Sequence, residues 1–225
     1  MPAEDHPKRR HNPPLTHGVW QINSSRMAYR DPWASVRRDE VTRPDGNPGS
    51  YVVVHLKPGV CVIPIWDNGD VQLTQEFHYG VGRVTLEGVS GGIDVDQLID
   101  AGVTLPSDDE TLSAPPGAID VQQTEFRMAA RATAHKELRE ELGLTAKQLS
   151  VIGTVDPFTA NVVSPTQLFV ARGLSQGESS QEGTECITAV RMHIDDAIQK
   201  VRRGEITHAP TVVALLTLAL DGNGD

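Results

Sequence analysis

Three carboxylates fall within five residues of Lys136-Glu137-Leu138-Arg139-Glu140-Glu141-Leu142-Gly143-Leu144. The spacing predicts a helix that the glycine ends. Glu137 and Glu141 are four apart, so they lie one above the other on one helical face, and Glu140 flanks it. Like charges at that spacing cost a helix about 0.2–0.5 kcal/mol per pair. A divalent cation reverses that sign, because clustered carboxylate oxygens are the ligands that Mg²⁺ and Mn²⁺ favour. On its own, a Glu-rich helix is more often a solvated surface than a metal site. What surrounds this one therefore decides how it is read.

The elements that must position these carboxylates follow from periodicity. Ala130, Ala134, Leu138 and Leu142 form an apolar stripe on another face of a helix expected over 125–142 and terminated by Gly143. Before it, Val52–Leu56 and Val60–Ile65 read as strands of β-branched residues, and Val71–Phe77 and Arg83–Glu87 continue the sheet. Turn clusters separate them at 44–49 and at Asp67-Asn-Gly-Asp70. After the helix, strands are expected over 149–155, 167–171 and 186–192, with a polar loop over 173–183. A helix over 194–203 and a last one starting near Pro210 close the chain. Strands then helix, and strands then helices again, indicate an α+β sandwich.

The nonapeptide at 136–144 resembles the helix of the Nudix box, Arg-Glu-apolar-x-Glu-Glu-x-Gly-apolar, with Lys136 in place of the arginine. Lysine keeps the charge but lacks the planar bidentate fork. The likeness extends to Gly69–Tyr79 and to Arg83-Val-Thr-Leu-Glu87-Gly-Val-Ser90-Gly91-Gly92-Ile-Asp94. These look like the strands and the Gly-rich loop before the box in ADP-ribose pyrophosphatases and other nucleotide-sugar hydrolases. Gly204-Glu205-Ile206 and the stretch from Thr211 resemble the closing helix of that group, so the likeness covers roughly 18–221.

The resemblance implies the Nudix fold, a mixed β-sheet sandwiched between helices, with an N-terminal β-rich extension. It implies a tail at 1–14, a β-rich segment at 15–56 for dimerisation or substrate contact, and a hydrolase domain at 57–221. It further implies Mg²⁺ or Mn²⁺ held by Glu137, Glu140 and Glu141 together with the carbonyl of Ser90. The activity implied is hydrolysis of a nucleoside diphosphate linked to a sugar, as in ADP-ribose, to a nucleoside monophosphate and a sugar phosphate. Trp33, His78, Arg83 and Glu87 are the candidate substrate contacts, Trp33 by stacking on the base. Arg83 is open to pairing with Glu87 or to facing a phosphate. A homodimer is also implied. The alternatives are a Nudix-fold binding or regulatory module without turnover, and a hydrolase of another diphosphate substrate.

Three features depart from the family pattern. Gly92 and Lys136 are 44 positions apart, with an insertion at about 97–123 in which Gly117-Ala-Ile-Asp echoes Gly91-Gly-Ile-Asp. Either glycine can open the box, and Gly91 is preferred because Val84–Glu87 supplies a strand into it. The stretch Phe158–Thr166 holds no carboxylate, and Ser164 falls where relatives carry a catalytic glutamate. The general base is then a box glutamate, a histidine such as His78 or His135, a more distant glutamate, or a metal-bound hydroxide. His78 stands where many relatives have a phosphate-gripping arginine.

Composition sets outer bounds. The chain has 225 residues, enough for one domain or a domain with a small lobe. Its formal charge of −10, from 30 acidic and 20 basic residues, disfavours nonspecific nucleic-acid or membrane binding. The two cysteines, Cys61 and Cys186, form no metal-ligand spacing or disulfide framework. A cytoplasmic location is expected, with no signal peptide, and 212–220 is too short to span a bilayer.

Overall fold

The computed structural model describes residues 14–94, 98, 120–181 and 186–221. The expectations for the tail at 1–13, for most of the insertion and for Gly117 lie outside them. The described residues divide into two compact units, one over 14–55 and one over 56–221.

The first unit carries β1 (Leu15–His17), β2 (Trp20–Arg30), β3 (Ala34–Thr42) and β4 (Pro48–Leu56), which neighbour one another in that order. β1–β2 and β2–β3 are antiparallel. The turn at 44–49 forms as expected: Gly46 takes a left-handed φ of 81° and donates to the Arg43 carbonyl. Within β3, Arg37 and Asp39 point the same way and form a buried ion pair, Nε to Oδ1 2.6 Å.

The second unit is built on a mixed sheet of order β8-β5-β11-β9. Its strands are β5 (Gly59–Pro64), β8 (Val89–Gly92), β9 (Leu144–Val155) and β11 (Thr166–Gln176). β5 runs parallel to β11 and antiparallel to β8. A three-stranded antiparallel sheet has the order β12-β6-β7, from β6 (Asp70–His78), β7 (Arg83–Glu87) and β12 (Thr188–His193). β10 (Val162–Val163) is a short strand between β9 and β11. The helices are α1 (Thr124–Leu142), α2 (Ile194–Arg202) and α3 (Ala209–Asp221).

Alternation along β5 explains the layering. Val60 and Val62 enter one apolar cluster with Ala130, Ala134, Leu138 and Leu142 of α1. Cys61 and Ile63 enter another with Ala214 and Leu215 of α3. Successive side chains of a strand point to opposite faces, so a strand covered on both faces reads as a continuous apolar run. This is the α+β arrangement expected from the sequence, with its N-terminal β-rich region. β9 and β11 are longer than expected. β9 starts at Leu144 instead of 149, and β11 continues to Gln176, through what read as a polar loop. β12 starts at Thr188, two residues later than read.

Candidate active site

α1 is fixed at both of its functional surfaces. Its apolar stripe is buried, and Arg131 Nη1 donates to the Leu149 carbonyl at 2.7 Å. Its last turn leaves carbonyls without intrahelical donors. Gly143 closes the helix in a left-handed conformation, φ 65°. The segment read as a polar loop supplies the remaining donors. Ser180 N–H bonds the Glu140 carbonyl at 3.0 Å, Gln181 Nε2 the Glu141 carbonyl at 3.3 Å, and Gln176 Nε2 the Leu142 carbonyl at 2.8 Å. The turn that carries Glu140 and Glu141 is thereby held in place.

The three carboxylates differ in exposure. Glu141 is 7% exposed, and the side chains of Glu137 and Glu140 are 13% and 20% exposed. Lys136 Nζ lies 3.7 Å from Glu137 Oε1 and 3.3 Å from Glu140 Oε2. Burial alone would lower the Lys136 ammonium pKa, but Glu137, Glu140 and Asp94 outweigh it and raise it above the ordinary lysine value. The ammonium therefore stays charged and shields the two carboxylates from each other.

β8 brings the Gly-rich corner to this helix. A Cβ built on Gly91 would run into Cγ and the carboxyl group of Glu137. Only a glycine lets the β8 backbone approach so closely. Gly91, the glycine preferred from the sequence, lies against Glu137, and Gly117 lies outside the described residues. Ser90 pairs with Cys61 across β8 and β5, and its hydroxyl donates to the Gly88 carbonyl at 2.8 Å.

The other candidates fall in two places. Glu87 ends β7 and gathers partners: Thr85 Oγ1 donates to Oε1 at 2.7 Å, His78 Nε2 is 3.4 Å from Oε1, and His208 Nδ1 is 3.2 Å from Oε2. Arg83 does not take the Glu87 partnership left open by the sequence; its Nη2 donates to Thr207 Oγ1 at 3.0 Å, because the two histidines already flank the carboxylate. Trp33 sits in the N-terminal unit at the β2–β3 turn and is 71% exposed. Its N–H and that of Ala34 both donate to Asp31 Oδ1, and these bonds hold the Asp31 carboxyl below the usual range. His135 is exposed on α1, and Ser164 donates to the Lys57 carbonyl at 3.4 Å.

Sequence reasoning missed His208 and the role of Thr211. No local pattern marks either one. Thr211 Oγ1 accepts from Gly88 N–H at 2.8 Å across 123 residues, a contact created by packing α3 on β5. Burial lowers the pKa of the His208 imidazole below the ordinary histidine value, Glu87 opposes that, and His78 adds to it.

Known proteins are similar along most of this length. Residues 20–54 match the family described as the nucleoside diphosphate sugar hydrolase N-terminal domain. An ADP-ribose pyrophosphatase of Mycobacterium tuberculosis (strain ATCC 25618 / H37Rv) is 25% identical over 186 residues, 82% of this chain and 75% of that protein. The chain is thus similar in sequence to an ADP-ribose pyrophosphatase over most of its length. A methanol dehydrogenase activator of Bacillus methanolicus is 21% identical over 187 residues, 81% of this chain and 83% of that protein. The solved structure of an ADP compounds hydrolase superposes with a TM-score of 0.64 at 19% identity, covering 96% of this chain and 99% of that one. That likeness establishes the shared fold.

The donor set of α1 fits a hard divalent cation. It offers carboxylate oxygens on partly or nearly buried side chains, beside a backbone brought close by Gly91. Among the described residues no group of three or more His, Cys, Asp and Glu side chains is already gathered around one point. Lys136 instead draws Glu137 and Glu140 toward its own charge. No helix among the described residues is long and apolar enough to cross a membrane.

Proposed function

We propose that this chain is a Mg²⁺- or Mn²⁺-dependent hydrolase of a nucleoside diphosphate linked to a sugar or similar group, with ADP-ribose as the type of substrate. The products are a nucleoside monophosphate and a sugar phosphate. The observation that carries this reading is the contact of Gly91 with Glu137, on a helix whose last turn, with Glu140 and Glu141, is capped by 176–181. The printed names of the relatives, an ADP-ribose pyrophosphatase and an ADP compounds hydrolase, support the substrate class.

Glu137, Glu140, Glu141 and the Ser90 carbonyl would hold the cation. When bound, it supplies charge neutralisation at the diphosphate and a water of lowered pKa. Lys136, which lies against Glu137 and Glu140, would release them to the cation and keep its charge beside an anionic substrate. Glu87, His78 and Arg83 contact the substrate beyond the diphosphate, and Trp33 stacks on the base. The segment 15–56 serves dimerisation or substrate contact, the domain over 57–221 carries the chemistry, and the assembly is a cytoplasmic homodimer with no nucleic-acid partner.

The test is release of phosphate esters from ADP-ribose, other nucleotide sugars and dinucleoside polyphosphates, with Mg²⁺, Mn²⁺ or chelator, beside Glu141→Gln. Metal-dependent cleavage, lost by at least about 10²-fold in the variant, is expected. Full activity of Glu141→Gln sinks the proposal. The second reading, a binding or regulatory module, is favoured by the Lys136 contacts and by the relative named as an activator. Silence across the panel, with a nucleotide sugar still raising Tm, selects it.

A further inference from the structure

We propose that Thr211 positions the Gly88–Gly91 corner of the site, and that Glu87 and His208 fix the direction in which its hydroxyl points. The inference rests on the reading of Ser90 and Glu137 as cation-holding groups.

The corner is pinned from several sides. A Cβ on Gly88 would meet Ile63 Cδ1 and the Val62 carbonyl oxygen at 2.8 Å and Cys61 Sγ at 3.0 Å, so Gly88 lies pressed on β5 with no room to spare. Its N–H is taken by Thr211 Oγ1 at 2.8 Å and its carbonyl by the Ser90 hydroxyl at 2.8 Å. Thr211 is completely buried. One side chain on α3 thus holds the peptide that leads, two and three residues on, to Ser90 and to the glycine against Glu137.

Valence fixes the hydroxyl. Thr211 Oγ1 has three neighbours: Gly88 N–H, His208 Nδ1 at 2.9 Å and Cys61 Sγ at 3.6 Å. A hydroxyl has one hydrogen and two lone pairs. The Gly88 N–H occupies one lone pair. His208 Nδ1 also lies 3.2 Å from Glu87 Oε2, and an ionised carboxylate only accepts. An unprotonated Nδ1 would turn its lone pair toward Glu87 Oε2 at 3.2 Å, so the hydrogen is placed on Nδ1, between Glu87 and the second lone pair of Thr211. The Thr211 hydrogen is left for Cys61 Sγ. All three valences are then used, and rotation of the hydroxyl would break a bond. Glu87 is itself held by Thr85 and His78 on its other oxygen. Burial favours the neutral imidazole of His208, which leaves Nε2 without a hydrogen.

The experiment has two readouts besides turnover, both on the full chain. Long-range ¹H–¹⁵N spectra of histidine-labelled protein at pH 7.5 are expected to show His208 as the Nδ1–H tautomer. Mn²⁺ binding without substrate, followed by electron paramagnetic resonance, is expected to weaken about tenfold in Thr211→Val, the scale of losing an outer-shell partner, and to stay within about twofold in Thr211→Ser. If Thr211→Val does not fold, His208→Ala on a side chain 25% exposed serves instead, with several-fold weaker Mn²⁺ binding expected. His208 in the Nε2–H tautomer overturns the orientation argument. Equal Mn²⁺ affinity in wild type, Thr211→Val and His208→Ala overturns the positioning role alone. A wild-type chain that binds no Mn²⁺ overturns the reading of the site, and this inference falls with it.

Discussion

Replacing Gly91 by alanine separates stability from site geometry. Gly91 is not among the glycines with positive φ, so its backbone accommodates alanine without strain. At a compatible position that exchange stabilises by about 0.4–1 kcal/mol through the unfolded state. The new methyl, however, falls on Cγ and the carboxyl group of Glu137. Overpacking of a rigid core costs about 1–3 kcal/mol, but here the obstructed atoms are the end of a flexible side chain. The net loss is therefore expected at about 0–2.6 kcal/mol, the difference of those two ranges. Because Cγ itself is displaced, χ1 must change, and a helix leaves few rotamers for it. The carboxylate then moves by more than ~1 Å, a displacement that costs about 10²-fold in rate. Urea unfolding, Mn²⁺ binding and kcat/KM measured on Gly91→Ala read the two effects separately. Glu137→Asp, one methylene shorter, should relieve the overpacking, so the stability cost of Gly91→Ala should shrink in that background. Wild-type Mn²⁺ affinity and turnover in Gly91→Ala would refute the claim that this glycine sets the Glu137 position.

Other outcomes follow from the same structure. The pKa values of His208 and His55 are both lowered in the folded chain, His55 by burial and then by Arg37, so the unfolded chain binds more protons as pH falls below about 6.5. Stability is therefore expected to fall as pH drops from 6.5 through the folded pKa values, and a urea midpoint that stays constant from pH 7.5 to 5.5 contradicts both shifts. Burial pushes the Cys61 thiol up to about 11, whereas Cys186 is exposed. Titration with a thiol reagent should label one cysteine quickly and the second only on unfolding; two fast equivalents would contradict the packing of Cys61 against Thr211. Asp39→Ala removes the carboxylate 2.6 Å from the buried Arg37 guanidinium, and a loss of about 3–5 kcal/mol, the scale of breaking a buried ion pair, is expected in chemical denaturation. A loss under 1 kcal/mol would show that this pair is solvated.

What the sequence determined by itself is what local geometry controls. The 3.6-residue period and Gly143 located α1, its buried stripe and the shared face of Glu137 and Glu141, because helix faces depend only on spacing. The run of β-branched residues over 60–65 located the strand β5. The turns at 44–49 and 67–70 were legible from residues that favour tight turns. Tertiary structure decided the rest. The approach of Gly91 to Glu137 depends on the register of β8 against β5, and the composition of the loop does not reveal that register. The segment 173–181 looked like a solvated polar loop. It finishes β11 and then caps α1, because orphan carbonyls at a buried helix end need donors wherever the chain can bring them. Arg83 was open to pairing with Glu87 or to facing a phosphate, yet the side chains that flank the Glu87 carboxylate are Thr85, His78 and His208. The Gly88–Thr211 bond joins residues 123 apart. Such contacts arise only when α3 docks on the sheet, because hydrogen-bond partners are set by proximity in space, while spacing along the chain reports only on neighbours a turn or two away.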